Sequence, residues 1–338
     1  MFSTAEHSNI MNRMENDIDF VQEAVSELNT ISGIPITLEQ RSKNDDLIIR
    51  LKNNLFFCEV KKHAKNANYG VLISSIHRNL KDSLIIADYL SKDTAERLKE
   101  SGVNYLDRAG NAHIKTDNIF LYVEGRKARI NKKTNQSRAF AEAGLKLLLL
   151  FITNPESLQF NYREIAARTD IALGSVSNII NELEEENFLL KTTKGRTLKH
   201  RDELIRRWVT AYNETIKPRV FRRKMRSIEQ QRLSDQILDH SNIHAYLGGE
   251  GAGAIMTGYL KAQDFTIYSD MGMATLAKTL KLVPDELGNV EIYHPIWTKG
   301  LILNRPNIAP PLIVYADLLA NGNSRNIETA KLIMENGL

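Results

Sequence analysis

Two acids and a lysine near the start of the chain have the spacing for metal-assisted chemistry on a phosphodiester. Asp46 stands near the start of the run DDLIIRL, and Glu59-Val60-Lys61 closes the run LFFCEVK. Side chains alternate along a strand, so Glu59 and Lys61 share one face while Cys58 and Val60 share the other. Asp46 sits across a hairpin turned at Lys52-Asn53-Asn54 and can reach the Glu59 face. Asp46 and Glu59 would supply hard oxygen ligands for Mg²⁺. Lys61 could orient or deprotonate an attacking water and stabilise a pentavalent phosphate. The competing reading is an acid–base pair on a strand that does no chemistry. The glutamates of the preceding helical stretch do not strengthen the catalytic one. Glu23 and Glu27 fall opposite the apolar stripe Met14, Ile18, Val21, Val25 and Leu28, and Glu15 lies well off it.

A second set of residues suits recognition rather than catalysis. In GSVSNIINELEEENF, Val176, Ile179, Ile180 and Leu183 recur at i, i+3, i+4 and i+7 and form a core-facing stripe. Ser175, Ser177, Asn178 and Asn181 then face outward, with side chains suited to base edges and phosphates in a major groove. The next run, FLLKTTKGRTLKH, reads as a hairpin with Lys194-Gly195-Arg196 at its tip and Lys191 and Lys199 beside it. Such a basic tip positions a protein on phosphates. A trihelical module that binds nothing is the alternative.

A third feature is HAYLGGEGAGAIMTGYL, which reads as strand, Gly-rich turn and helix. Gly248, Gly249, Gly251 and Gly253 could cradle a phosphate at the helix start. No Walker lysine follows, and FTIYSD carries Asp270 alone where a nucleotidyltransferase-type site needs paired acids. A structural tight turn is the favoured reading. His63, His77 and His113 lack metal-ligand spacing, and Cys58 reads as an unreactive strand residue.

The elements that must position these residues fall into three parts. The first, 1–130, opens with the apolar-striped helix, broken by Gly33 and Pro35. Strand-like runs follow, among them SLIIADYL, and then a helix capped by Ser91 and closed by Gly102. A polar basic linker, 126–138, separates this α/β part from a central one, 139–225. There, AEAGLKLLLLFIT is an apolar helix, and Asn161 with Glu164 forms a capping box for YREIAART. A further helix, RDELIRRWVTAYNETI, packs through Leu204, Trp208 and Val209 with Arg201 and Arg207 in solvent. The third part, 226–338, is a small α/β module that packs, dimerises or senses. The whole is a multidomain α+β or α/β chain.

Composition limits the partners. The chain has 338 residues and a net charge of +4, which points nowhere by itself. Residues 191–226, however, hold 13 Lys+Arg against 3 Asp+Glu, a local +10 that leaves −6 on the other 302 residues. That excess adjoins the Ser175–Asn181 helix, as expected of a duplex-DNA binder. A single cysteine excludes a disulfide scaffold and a multi-cysteine zinc site. No apolar run reaches the ~18 residues of a membrane span, and the N-terminus lacks the apolar core of a signal peptide. A cytoplasmic compartment with no membrane partner is expected.

Two resemblances follow from these motifs. The D-x12-E-V-K arrangement, Asp46 to Lys61, resembles the restriction-endonuclease-like PD-(D/E)xK fold, with a spacing similar to Holliday-junction resolvases; the usual Pro before the Asp is Asp45 here. That resemblance implies a Mg²⁺-dependent DNA nuclease. Residues 139–200 resemble winged helix-turn-helix regulators. Together with HAYLGGEGAGAIMTGYL, PPLIVYADLLANGNSRNIETAKLIME and GVNYLDRAGNAHI, they resemble the AbiEi-like antitoxin regulators of type IV toxin–antitoxin systems. This second resemblance implies operon repression by promoter binding, with no cofactor and no direct contact with the toxin; a homodimer is compatible with it. A DNA-binding regulator is thus the first reading, a winged-helix-targeted nuclease the alternative, and an interaction module the third.

Overall fold

The Val21, Val25 and Leu28 stripe winds into a helix, α1 (21–32), whose buried face packs on a sheet. A computed structural model describes residues 21–40, 47–64, 69–76, 80–127, 137–193, 195–239, 243–298, 301 and 306–338. Asp46, His77, Lys194 and the Met14–Ile18 part of the stripe lie outside the described residues. The chain is mixed α and β and forms two compact units, 1–134 and 135–338. No helix among the described residues is long and apolar enough to cross a membrane.

The first unit is built on a seven-stranded sheet in sequential order. Its strands are β1 (Ile36–Gln40), β2 (Leu47–Leu51), β3 (Asn54–Ala64), β4 (Ser83–Leu90), β5 (Asn104–Asp107), β6 (Ala112–Lys115) and β7 (Phe120–Val123). β1 to β3 and β5 to β7 are antiparallel meanders; β3, β4 and β5 are parallel. Parallel neighbours need crossovers, here carrying α2 (Tyr69–Ser74) and α3 (Lys92–Glu100). The β2–β3 hairpin turns where Lys52-Asn53 predicts it, with Lys52 at φ 53°. Ser91 accepts from the Thr94 N–H at the start of α3, and Gly102 closes that helix with positive φ. Two cores result. α1 covers one face with Leu84, Ile86, Ile114 and Phe56, while α2 and α3 cover the other with Ile85, Ala87 and Tyr105.

The second unit starts with α4 (Glu142–Thr153), apolar on nearly every side and buried from Leu147 to Ile152. α5 (Tyr162–Thr169) and α6 (Leu173–Glu185) pack on it. A two-stranded hairpin, β8 (Leu189–Thr192) and β9 (Gly195–Leu198), follows. α7 (Arg201–Ala211) buries Leu204, Ile205, Trp208 and Val209, and the Trp208 indole N–H donates to the Leu145 carbonyl at 2.8 Å. A π-helical turn, Tyr212–Ile216, and the short α8 (Lys217–Val220) lead into β10 (Phe221–Ser227). β10 lies in a five-stranded sheet of order β11-β12-β14-β10-β13. The other strands are β11 (Ala245–Gly248), β12 (Phe265–Ser269), β13 (Leu282–Pro284) and β14 (Val290–Tyr293). α9 (Leu233–Asp239), α10 (Gly249–Thr257), α11 (Met273–Thr279), α12 (Pro311–Asn321) and α13 (Ser324–Glu335) complete the unit. α10, α12 and α13 pack together where Gly253 approaches Leu318 and Thr329.

Candidate nucleic-acid interface

α6 divides as its periodicity predicts: Val176, Ile179, Ile180 and Leu183 are buried, Asn178 and Asn181 are exposed, and Ser175 and Ser177 are half-buried. The first turn of α6 carries no acid, so the N-terminal end, with its unpaired N–H groups, presents positive potential beside Ser175 and Ser177. The glutamates sit at the other end. Glu182 accepts from the Arg138 and Ala139 N–H groups and from Ser137, tying the approach to α4 onto α6. Glu186 holds Arg207 at 2.5 Å.

α5 is aimed by its cap. Asn161 accepts from the Arg163 and Glu164 N–H groups, each at 3.0 Å, and Glu164 accepts from the Asn161 N–H at 2.8 Å. Asp170, in the left-handed conformation, ends α5 and starts the turn into α6. The two helix starts border a shallow groove lined by Asn161, Tyr162, Arg163, Leu173, Gly174 and Ser177. Arg163, exposed in the first turn of α5, joins Ser177 there. Sequence reading passed over it; its signal was a cation two residues after the capping Asn161.

The hairpin is where expectation and structure part. Thr192 pairs with Gly195, and Arg196 lies within β9 opposite Lys191. Arg196 is buried, 9% exposed. Its guanidinium donates to the Leu158 carbonyl at 2.6 Å and to the Phe160 carbonyl, and lies over the Tyr162 ring. Gln159 adds bonds to the Arg196 carbonyl and N–H, and Gly195, with φ 116°, has no room there for a Cβ. Arg196 therefore latches the hairpin to the turn before α5 instead of crowning its tip. Lys191 and Lys199 are exposed.

Other cations of the +10 segment also serve the fold. Arg207, expected in solvent, lies over the Phe140 ring at 4.0 Å and the Phe188 ring at 5.0 Å and pairs with Glu186, so an aromatic face and a carboxylate hold it. Lys217 pairs with the buried Asp317 at 2.6 Å, Arg222 donates to the Ser269 carbonyl and Arg226 pairs with Asp285. Arg219 and Arg223 are exposed.

The Gly-rich turn faces inward. The Gly249 N–H donates to Asp317 at 3.1 Å, and a Cβ on Gly248 would lie 2.6 Å from that carboxylate. Asp317 also accepts from the Tyr268 hydroxyl at 2.7 Å, and Tyr268 meets Tyr212 at 3.0 Å. Burial, then the Asp317 charge, hold both phenols well above their ordinary pKa. A protein carboxylate thus takes the place that a phosphate would occupy, and the tight-turn reading fits.

In the first unit, Glu59 and Lys61 face each other at 3.7 Å. Their neighbours across β4, Ile85 and Ala87, belong to the core beneath α2 and α3. Cys58 and Val60 pack on the α1 side. The sheet therefore separates the α1 glutamates from Glu59. Glu23 instead pairs with Arg108 at 2.6 Å and Glu27 with Arg126 at 3.0 Å. No cluster of three His, Cys, Asp or Glu that could hold a metal occurs among the described residues. Burial pushes the Cys58 thiol up to about 12.

Residues 197–338 match the family model described as a transcriptional regulator, the AbiEi antitoxin of a type IV toxin–antitoxin system. The match takes in the Gly-rich turn and the PPLIVYADLLANG helix, two of the segments that carry the resemblance read from the sequence. No curated protein and no solved structure matches the chain.

Proposed function

We propose that this chain, whose residues 197–338 match the AbiEi-type antitoxin regulator model, is a cytoplasmic transcriptional repressor of a toxin–antitoxin operon that grips duplex DNA through a winged helix-turn-helix. In this reading α6 enters the major groove with Asn178 and Asn181 on base edges and Ser175 and Ser177 near its positive end. Arg163, Lys191 and Lys199, with Lys194 as read from the sequence, bind phosphates. Arg196 leaves that list and becomes the residue that sets the wing's position. No cofactor is required. The antitoxin then acts through its promoter without touching the toxin.

The observation that carries the reading is α6 itself: exposed amides on one face, an acid-free first turn, and exposed cations flanking it at Arg163, Lys191 and Lys199. An electrophoretic shift with the DNA upstream of the protein's own gene tests it. Asn178→Ala with Asn181→Ala should abolish preference for that DNA over a scrambled duplex while leaving weak general binding in place. Unchanged preference in that double variant would take α6 out of the reading.

A further inference from the structure

The second unit carries a cavity of about 500 Å³ between β11, the end of β12 and the loop after β14, within the size range of small-molecule sites. Its walls include Tyr246, Trp297, Met271 and Pro295; His244 and Asp270 stand among its lining groups. Tyr246 and Trp297 meet edge to face at 5.6 Å, and Trp297 leans on Tyr268 at 5.1 Å. The Asp270 carboxylate accepts only, and one of its oxygens already faces His294 at 2.9 Å. A ring carrying a donor or cationic group matches such a lining: aromatic faces for the ring, a carboxylate for the cation.

The wall of this cavity is also the seam to the proposed DNA-binding helices. Thr298, next to Trp297, donates its hydroxyl to the Arg168 carbonyl in α5. Ile296 and Leu301 lie with Leu149 and Leu150 of α4. On the inner side, Trp297 touches Tyr268, whose hydroxyl bonds Tyr212, and Tyr212 stacks on Trp208 at 5.0 Å. Trp208 bonds α4 through the Leu145 carbonyl. A molecule that displaces Trp297 therefore acts on α4 and α5 by two routes.

We propose that the cavity binds a small arylalkylamine, an aromatic ring bearing an aliphatic ammonium group, and that its occupancy changes DNA affinity; the second half rests on the DNA-binding reading above. The chain has two tryptophans, and Trp208 is fully buried, so Trp297 is the natural reporter. The full-length protein is titrated with phenethylamine, and separately with 3-phenylpropionate as the anionic counterpart, following tryptophan emission. Phenethylamine should give a saturable change that Trp297→Phe removes, with at least tenfold weaker response to 3-phenylpropionate. Asp270→Asn should bring the two probes to within a few-fold of each other. No saturable change, or equal affinity for both probes in the unaltered protein, would overturn the cavity assignment. Saturating phenethylamine should then shift the Kd for a labelled duplex at least threefold. Saturation at Trp297 with an unmoved Kd overturns the coupling. A protein that binds no DNA even without probe overturns the functional reading and the coupling with it, and the emission data still decide the cavity.

Discussion

A guanidinium carries five donors and no acceptor, so one arginine can close a turn by bonding two carbonyls at once. Arg196 does this for Leu158 and Phe160. Arg196→Ala should destabilise the second unit by ~1.5–3 kcal/mol, the range for hydrogen bonds to a charged group, and should be read by denaturant unfolding. In the proposed function, its effect on DNA should come through a displaced β8–β9 hairpin and differ from that of Lys191→Ala, which should leave stability within about 0.5 kcal/mol. Cys58 makes a separate prediction. With its thiol at about 12, only ~1 in 10⁴ molecules is a thiolate at pH 8. The native protein should stay unmodified by an aromatic disulfide reagent over a period in which the unfolded chain reacts fully. Nothing in the residue types distinguishes Arg196 from Lys191 as a phosphate ligand. The distinction comes from carbonyls at Leu158 and Phe160, made available by a fold that no local pattern encodes.

Elements were legible where their signal is local. The Asn161–Glu164 capping box spans three residues, and both of its bonds form. Asn161→Ala should cost ~1 kcal/mol and loosen the start of α5, measurable as faster amide exchange at Arg163 and Glu164. The α6 stripe and the Lys52 hairpin turn were legible for the same reason. FRRKMRS was not. Four cations in seven residues read as a basic tract, yet it is β10, held by pairing with β13 and β14 while Met225 and Ser227 turn inward. The Gly-rich turn was legible as a turn, but its partner, Asp317, comes from α12, 68 residues away. Asp317 is 1% exposed and faces Lys217, Tyr268 and the Gly249 N–H. Removing one member of a buried pair strands the other, so Asp317→Asn should destabilise the second unit by ~3–5 kcal/mol. Leu or Met at both 217 and 317 should recover part of the loss, as judged by thermal unfolding, since the desolvation cost of the pair disappears with it.

At the scale of the whole molecule, the net charge of +4 conceals a +10 segment, and the fold sorts that segment in turn. Arg196, Arg207, Lys217, Arg222 and Arg226 bond within the second unit, whereas Lys191, Lys199, Arg219 and Arg223 are exposed. A charge count along the sequence thus marks where the proposed polyanion contact would lie but overstates the number of phosphates it can neutralise. The proposed contact set beside α6 is correspondingly small, and counterion release makes its size measurable. Each phosphate neutralised contributes about 0.9 to the slope of log K against log salt, largely independent of DNA sequence. Fluorescence anisotropy on a labelled random-sequence duplex, across a salt series, gives that slope for the unaltered protein and for Lys191→Ala combined with Lys199→Ala. The double variant should bind more weakly at low salt, with its slope reduced by about 2. An unchanged affinity and an unchanged slope would contradict a winged-helix grip on DNA at this face.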